Sequence, residues 1–201
     1  MKSDVAEGRI PGSEESILDR LEQLFTTRGT ELYLGEPVTI AEHMLQCAAL
    51  AQAQGAADAL IAAALLHDIG HFTAREDEGS GVADWKHEES GAAILEGHFP
   101  PVVVASVRLH VAAKRYLCAT GTRYFDKLSG ASKHSLSLQG GPMSASEAAM
   151  FEALPYHREA IRIRLWDDWG KEQGRKTPGF GDFRPLLQRV LPEHGLVRPR
   201  P

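Results

Sequence analysis

Cysteine is nearly absent from this chain: two residues, Cys47 and Cys118, in 201. Each falls inside a helical pattern, so buried thiols are expected rather than a disulfide framework. Long apolar runs are missing too. The longest, "ALIAAALL", is far short of the roughly 20 residues that cross a bilayer. The first 25 residues are acidic and polar, without the apolar core of a signal peptide. Net charge is −5, with both signs mixed along the chain and no basic arm, which argues against nucleic acid as a partner. No segment alternates convincingly as a strand does, and no internal repeat is present. With 43% hydrophobic residues, the chain can fill one core but hardly two. These absences leave an all-α, single-domain protein expected in the cytoplasm, with no membrane and no nucleic acid to bind. Nothing in them fixes an oligomeric state.

Residues 1–12 read as a flexible lead-in, 13–192 as the helical domain, and 193–201 as a loose tail. A first helix follows Ser13, with Ile17, Leu18, Leu21, Leu24 and Phe25 at helical spacing. Thr39 and Glu42 form a capping box that opens a second, running to Gly55. A third spans about Ala57 to Ile69 and ends at Gly70, before an acidic loop over about 74–84. "HEESGAAILEGHF" makes a fourth, and a fifth runs from Pro101 to about Leu117. A long irregular stretch, roughly 119–143, precedes the helices "SASEAAMFEAL" and "YHREAIRIRLWDDWGKEQ". The sum is a bundle of six or seven helices with one long loop beside the site.

Against this background nine histidines stand out. His43 shares an apolar stripe with Ile40, Cys47 and Leu50, and His67 one with Leu60, Ala63 and Ala64. His87 precedes Gly91, Ile94 and Leu95 on one face, while His110 follows Val103, Ser106 and Val107. Asp167 shares a face with Ile163 and Lys171. A lone inward histidine is ordinarily satisfied by a backbone carbonyl. Four of them, with Asp68 and Asp167, form the donor set that divalent iron, manganese or zinc prefers. His67 and Asp68 are adjacent and diverge by about 100° on a helix, so the pair can serve two neighbouring ions. Six ligands, His43, His67, Asp68, His87, His110 and Asp167, exceed what one ion with an open position takes. A dinuclear centre is expected.

The order His43, His67-Asp68, Asp167 resembles the HD-domain superfamily, named for its His-Asp doublet. Simple members are similar to metal-dependent phosphohydrolases of nucleotides; His87 and His110 match the extra ligands of dinuclear members. "YLGEPVTIAEHMLQCA", "HDIGH", "HVAAKRYLCAT", "LSGASKHSLSLQGGPMS" and "IRLWDDWGK" together resemble the organophosphonate-cleaving branch of the mixed-valence diiron oxygenases, related to myo-inositol oxygenase. That resemblance spans about residues 30–175. It implies two iron ions in the Fe2+/Fe3+ state and O2 as co-substrate. It also implies cleavage of the carbon–phosphorus bond of a 1-hydroxyethylphosphonate bearing a primary amine or trimethylammonium at carbon 2. The products would be phosphate and glycine or glycine betaine. The alternative within the superfamily is an HD phosphohydrolase, active without O2.

The resemblance extends to residues around the metals. Lys114, one turn after His110, matches a phosphonate-binding lysine; alone it would read as a snorkelling surface residue. Arg164 can fork onto a phosphonate or pair with Asp168. Ser132 and Ser135 can donate to the same anion or serve only as turn residues. His71 reads as a catalytic and substrate-facing histidine, or as a helix-end residue favoured by the dipole. Tyr33 and Glu36 match residues that cover the iron and meet the substrate ammonium, against a plain reading as loop packing. His98, His134, His157 and His194 attract no role.

Overall fold

The computed structural model describes residues 16–33, 35–73 and 86–192. The expected lead-in, the acidic loop at 74–84 and the tail at 193–201 lie outside the described residues. Helix starts follow local chemistry. Ser16 caps α1 (Ile17–Thr27) and Thr39 caps α2 (Ile40–Ala53), each accepting the N–H three residues on while that residue's carboxylate reaches back. Helix α3 (Asp58–Leu66) is apolar all round, with every residue from Leu60 to Leu66 buried; such a helix belongs at the centre of a bundle. It ends earlier than expected. The chain tightens at His67-Asp68 and continues as a 3₁₀ turn, Ile69–Thr73. This break turns the doublet off the helix, so that both side chains are aimed inward.

Gly70 is indispensable to the turn. A Cβ there would stand 2.0 Å from the His87 carbonyl oxygen and 2.8 Å from the Gly91 nitrogen. The turn therefore packs backbone to backbone on α4 (His87–Leu95). Pro101 begins α5 (Pro101–Thr120), the longest helix. The expected irregular stretch is largely helical: α6 (Tyr124–Lys127) and α7 (Gly130–Leu138) occupy it. Helix α7, "GASKHSLSL", is poor in helix formers and buries only Ser132 and Leu136; the Ser129 cap and its neighbours hold it. Ser132 and Ser135 thus lie on a helix, not a loop. Ser144 caps α8 (Ala145–Glu152), and Tyr156, in the left-handed region at φ 64°, leads into α9 (His157–Trp169).

A further helix, α10 (Phe180–Val190), had no counterpart in the expected count of six or seven. Its buried Phe180, Phe183, Leu186 and Leu187 lie against α1 and α3. Ten α-helices and the 3₁₀ turn make up the described residues, with no strand among them, only an isolated bridge between Leu32 and Thr39. Helices α2, α5, α9 and α10 surround α3, and α4 packs on α5. None is long and apolar enough to cross a membrane.

Candidate metal centre and the cationic pocket beside it

Six buried side chains from α2, the α3 end, α4, α5 and α9 meet at one point: His43, His67, Asp68, His87, His110 and Asp167. Asp68 is the pivot. Its Oδ2 lies 3.4 Å from His67 Nε2 and 3.6 Å from His43 Nε2; its Oδ1 lies 3.4 Å from both His87 Nε2 and His110 Nε2. Asp167 Oδ1 stands 3.5 Å from His43 Nε2 and its Oδ2 3.9 Å from His67 Nε2. Two half-sites share one carboxylate.

The hydrogen bonds fix the ring tautomers. His43 donates Nδ1–H to the Gly170 carbonyl at 2.8 Å, His67 to Ala64 at 2.9 Å and His110 to Val107 at 2.7 Å. A carbonyl only accepts, so in the neutral rings each Nε2 is left as a bare lone pair. His43 Nε2 and His67 Nε2 nevertheless face each other at 3.1 Å. Both Asp68 oxygens and Asp167 Oδ1 are buried without a hydrogen-bond donor. Lone pairs and carboxylate oxygens crowded together in an apolar interior repel unless cations lie among them. The donor set therefore fits two metal ions, with the carbonyls orienting the imidazoles from behind.

The proton equilibria of the carboxylates and of His87 agree, whereas His67 is raised, burial being outweighed by Asp68 and Asp167 beside it. Burial raises the Asp68 carboxyl, but His67 and the other imidazoles beside it outweigh that and hold it well below the usual range. Asp167 is likewise held low, burial being outweighed by Arg164 and then Lys171. Burial, helped by His71, depresses His87 and keeps it neutral, as a ligand must be. Cys47 also lies near His43 and His67. Its sulfur is 3.8 Å and 3.9 Å from the two nitrogens of the His43 ring and donates to the Trp166 carbonyl. Burial pushes this thiol well up. It packs beside the ligand ring rather than joining the cluster of Nε2 atoms.

His71, on the 3₁₀ turn, stacks on His87 with centroids 4.2 Å apart and brings Nε2 to 4.0 Å from Asp68 Oδ1. It faces the centre. Tyr33 stacks on His43 at 4.4 Å and meets His71 edge-on at 6.0 Å. Burial, then the charges of Asp68 and Asp167, push its hydroxyl well above the usual range. A tight turn follows, in which the Glu36 N–H donates to the Tyr33 carbonyl at 2.9 Å and Gly35 takes φ 74°. Glu36 accepts from Ser129 Oγ at 2.5 Å.

Beyond the candidate ligands lie three basic side chains, Lys114, Arg164 and Lys171. Lys114 is buried and donates to Ser135 Oγ at 2.7 Å, and no carboxylate of the described residues pairs with it. Burial, then Arg164, bring its ammonium down to about 8. Arg164 spends its nitrogens on Asp167 (2.6 Å), on Asp168 and on the Tyr124 hydroxyl (3.1 Å), while Tyr124 donates to Asp168. This is the ion-pair alternative of the two foreseen for Arg164, extended to the metal ligand itself. Both aspartates of the ambiguous doublet hold the arginine, but only Asp167 also faces the histidines. Sequence reasoning missed Lys171 as part of the site. Its Nζ donates to Ser132 Oγ at 3.0 Å, lies 3.3 Å from Glu36 Oε1 and 3.6 Å from Asp167 Oδ1. The available signal was its place four residues after Asp167.

An all-helical bundle with a His-Asp doublet at the broken end of its central helix, completed by an aspartate near the C-terminal end of α9, defines a class of metal-dependent enzymes. The HD-domain profile matches residues 40–168, and the chain belongs to the HD-domain family. It is 50% identical over 181 residues to the [1-hydroxy-2-(trimethylamino)ethyl]phosphonate dioxygenase (glycine-betaine-forming) of Leisingera caerulea, covering 89% of this chain and 92% of that one. It is 42% identical over 189 residues to hydroxymethylphosphonate dioxygenase of Gimesia maris, covering 92% of each. An uncharacterized protein of Acanthamoeba polyphaga mimivirus, L432, is 31% identical over 174 residues, 85% of this chain and 80% of that one.

Proposed function

We propose that this chain is a diiron dioxygenase that cleaves the carbon–phosphorus bond of a 1-hydroxy-2-ammonioethylphosphonate, with trimethylammonium at carbon 2 favoured over the primary amine. One O2 is consumed per turnover. The C1–H and C1–P bonds break, C1 ends as the carboxylate of glycine betaine or glycine, and phosphorus leaves as phosphate. The observation that carries the reading is adjacency: a carboxylate shared between two imidazole pairs, next to a buried lysine with no carboxylate partner. The two dioxygenase relatives act on phosphonates, and the one with the higher identity acts on the trimethylamino compound. A nitrogen- and oxygen-donor set suits iron, which when bound would supply the redox chemistry and anchor the substrate's oxygens.

The chain's own groups do the rest. Lys114 takes the phosphonate as a point charge, with Ser135 and Ser132 beside it. Arg164 fixes Asp167 so that Oδ1 faces His43. His71, at the edge of the centre with its Nε2 4.0 Å from Asp68 Oδ1, faces the substrate. Tyr33 and Glu36 cover the centre until substrate arrives, limiting wasteful oxygen activation before the phosphonate is bound. The test is phosphate release from iron-loaded protein with and without O2. Release is expected only with O2, together with a mixed-valence EPR signal that changes on adding the phosphonate. Equal release under strict anaerobiosis, or hydrolysis of nucleotides with manganese alone, would replace the oxygenase with the phosphohydrolase reading.

A further inference from the structure

Lys171 is the point where side chains from α7, α9 and the turn before α2 meet. Its ammonium contacts Ser132 on α7, Glu36 in the turn before α2, and Asp167 on α9 at 3.0, 3.3 and 3.6 Å, and lies 5.6 Å from the centre of the Tyr33 ring. Only 10% of the Lys171 side chain and 7% of the Glu36 side chain are exposed, so the pair is screened little by solvent. An ammonium against a carboxylate and over an aromatic face is also the environment that a quaternary or primary ammonium of a ligand seeks. The protein has filled that place with a charge of its own.

We propose that Lys171 is a specificity-determining positioning residue: its ammonium occupies Glu36 in the substrate-free protein, and a substrate's cationic nitrogen gains its place by displacing it. The inference rests on the proposed phosphonate substrate and adds the competition within the chain. Displacement is local. Gly35, in the left-handed region at φ 74°, gives the Tyr33–Glu36 turn a residue that can change conformation at little cost. Lys171 released from Glu36 keeps Ser132 and Asp167 as partners. A phosphonate without a cationic nitrogen has nothing to offer Glu36 and leaves the Lys171 pair in place.

Calorimetric dissociation constants of the iron-loaded protein, measured anaerobically so that no turnover occurs, test this. The ligands are 1-hydroxy-2-(trimethylammonio)ethylphosphonate and its carbon isostere, in which a tert-butyl group replaces the trimethylammonium. Lys171→Met removes the competitor, so the cationic ligand should tighten by about tenfold, the scale of one partly buried ion pair. The isostere should hold within about twofold, and Lys171→Arg should behave as the parent. Glu36→Gln breaks the pair from the other side and should erase the preference for the cation, which keeps the test intact if Lys171→Met does not fold. Parallel weakening of both ligands in Lys171→Met would make Lys171 an anion-binding group and overturn the proposal. No change in either would overturn it as well. Parent protein that binds both ligands equally defeats this inference alone, whereas parent protein that binds neither defeats the proposed function and this inference with it.

Discussion

At the scale of the residue, charge placement decides what each side chain does. Asp68 can serve two ions only because both of its oxygens are left without donors. Asp68→Asn keeps the shape but turns one oxygen into an N–H donor, which cannot ligate. Metal analysis should show iron falling from two per chain to one or none, and O2-dependent phosphate release should drop by at least about a hundredfold. Lys114 shows the opposite economy. Its ammonium titrates near 8 in place of 10.5, so the folded chain holds this proton less tightly than the unfolded chain. Below about 8 the buried charge weakens the fold by its full amount, and that penalty is relieved as pH rises through 8. Anion affinity runs the other way: KM for the phosphonate should climb above about pH 8, while kcat changes less. Lys114→Met should therefore raise the thermal midpoint of the metal-free protein and raise KM at neutral pH; a KM unchanged in this variant would remove the lysine from the anion site.

At the scale of the element, legibility followed local signal. The Thr39–Glu42 and Ser144–Glu147 boxes and Pro101 were readable because a cap is made by neighbours in sequence. Helix α7 was not. Gly130, three serines and a histidine read as loop, and what makes them helical is tertiary: Lys114 and Lys171 grip Ser135 and Ser132 from outside the segment. Helix α10 was hidden differently, by Gly179, Gly181 and Pro185, which read as breakers. Yet Phe180, Phe183 and Leu187 recur at helical spacing, and their burial offsets the backbone bond that Pro185, past the first turn, removes. The packing of this helix is what matters to the fold. Leu187→Ala, at a position with no exposure, should cost about 2–4 kcal/mol in denaturant unfolding while iron per folded chain stays the same, because α10 contributes no ligand.

At the scale of the molecule, the convergence of the six candidate ligands was legible and the connections around them were not. Inward-facing histidines betray themselves by sharing apolar stripes, whereas Tyr124, Ser129 and Lys171 act through partners far away in sequence. Five separate elements supply the six candidate ligands, so ions held by them would bind only the folded chain and stabilise all of it at once. Chelation should lower the thermal midpoint in a single cooperative step, reversed by added iron, with about 2.7 kcal/mol lost per ion held at a hundred times its Kd. The turn that follows the doublet meets α4 at Gly70, where the His87 carbonyl, the Ser90 hydroxyl and the Gly91 nitrogen leave no room for a Cβ. A methyl group at Gly70 would act as a wedge, pushing His87 away from the doublet while His43, His67 and Asp167 stay put. The distance from the doublet to His87 is thus gauged mostly by main chain, a ruler that repacking of side chains elsewhere can do little to recalibrate.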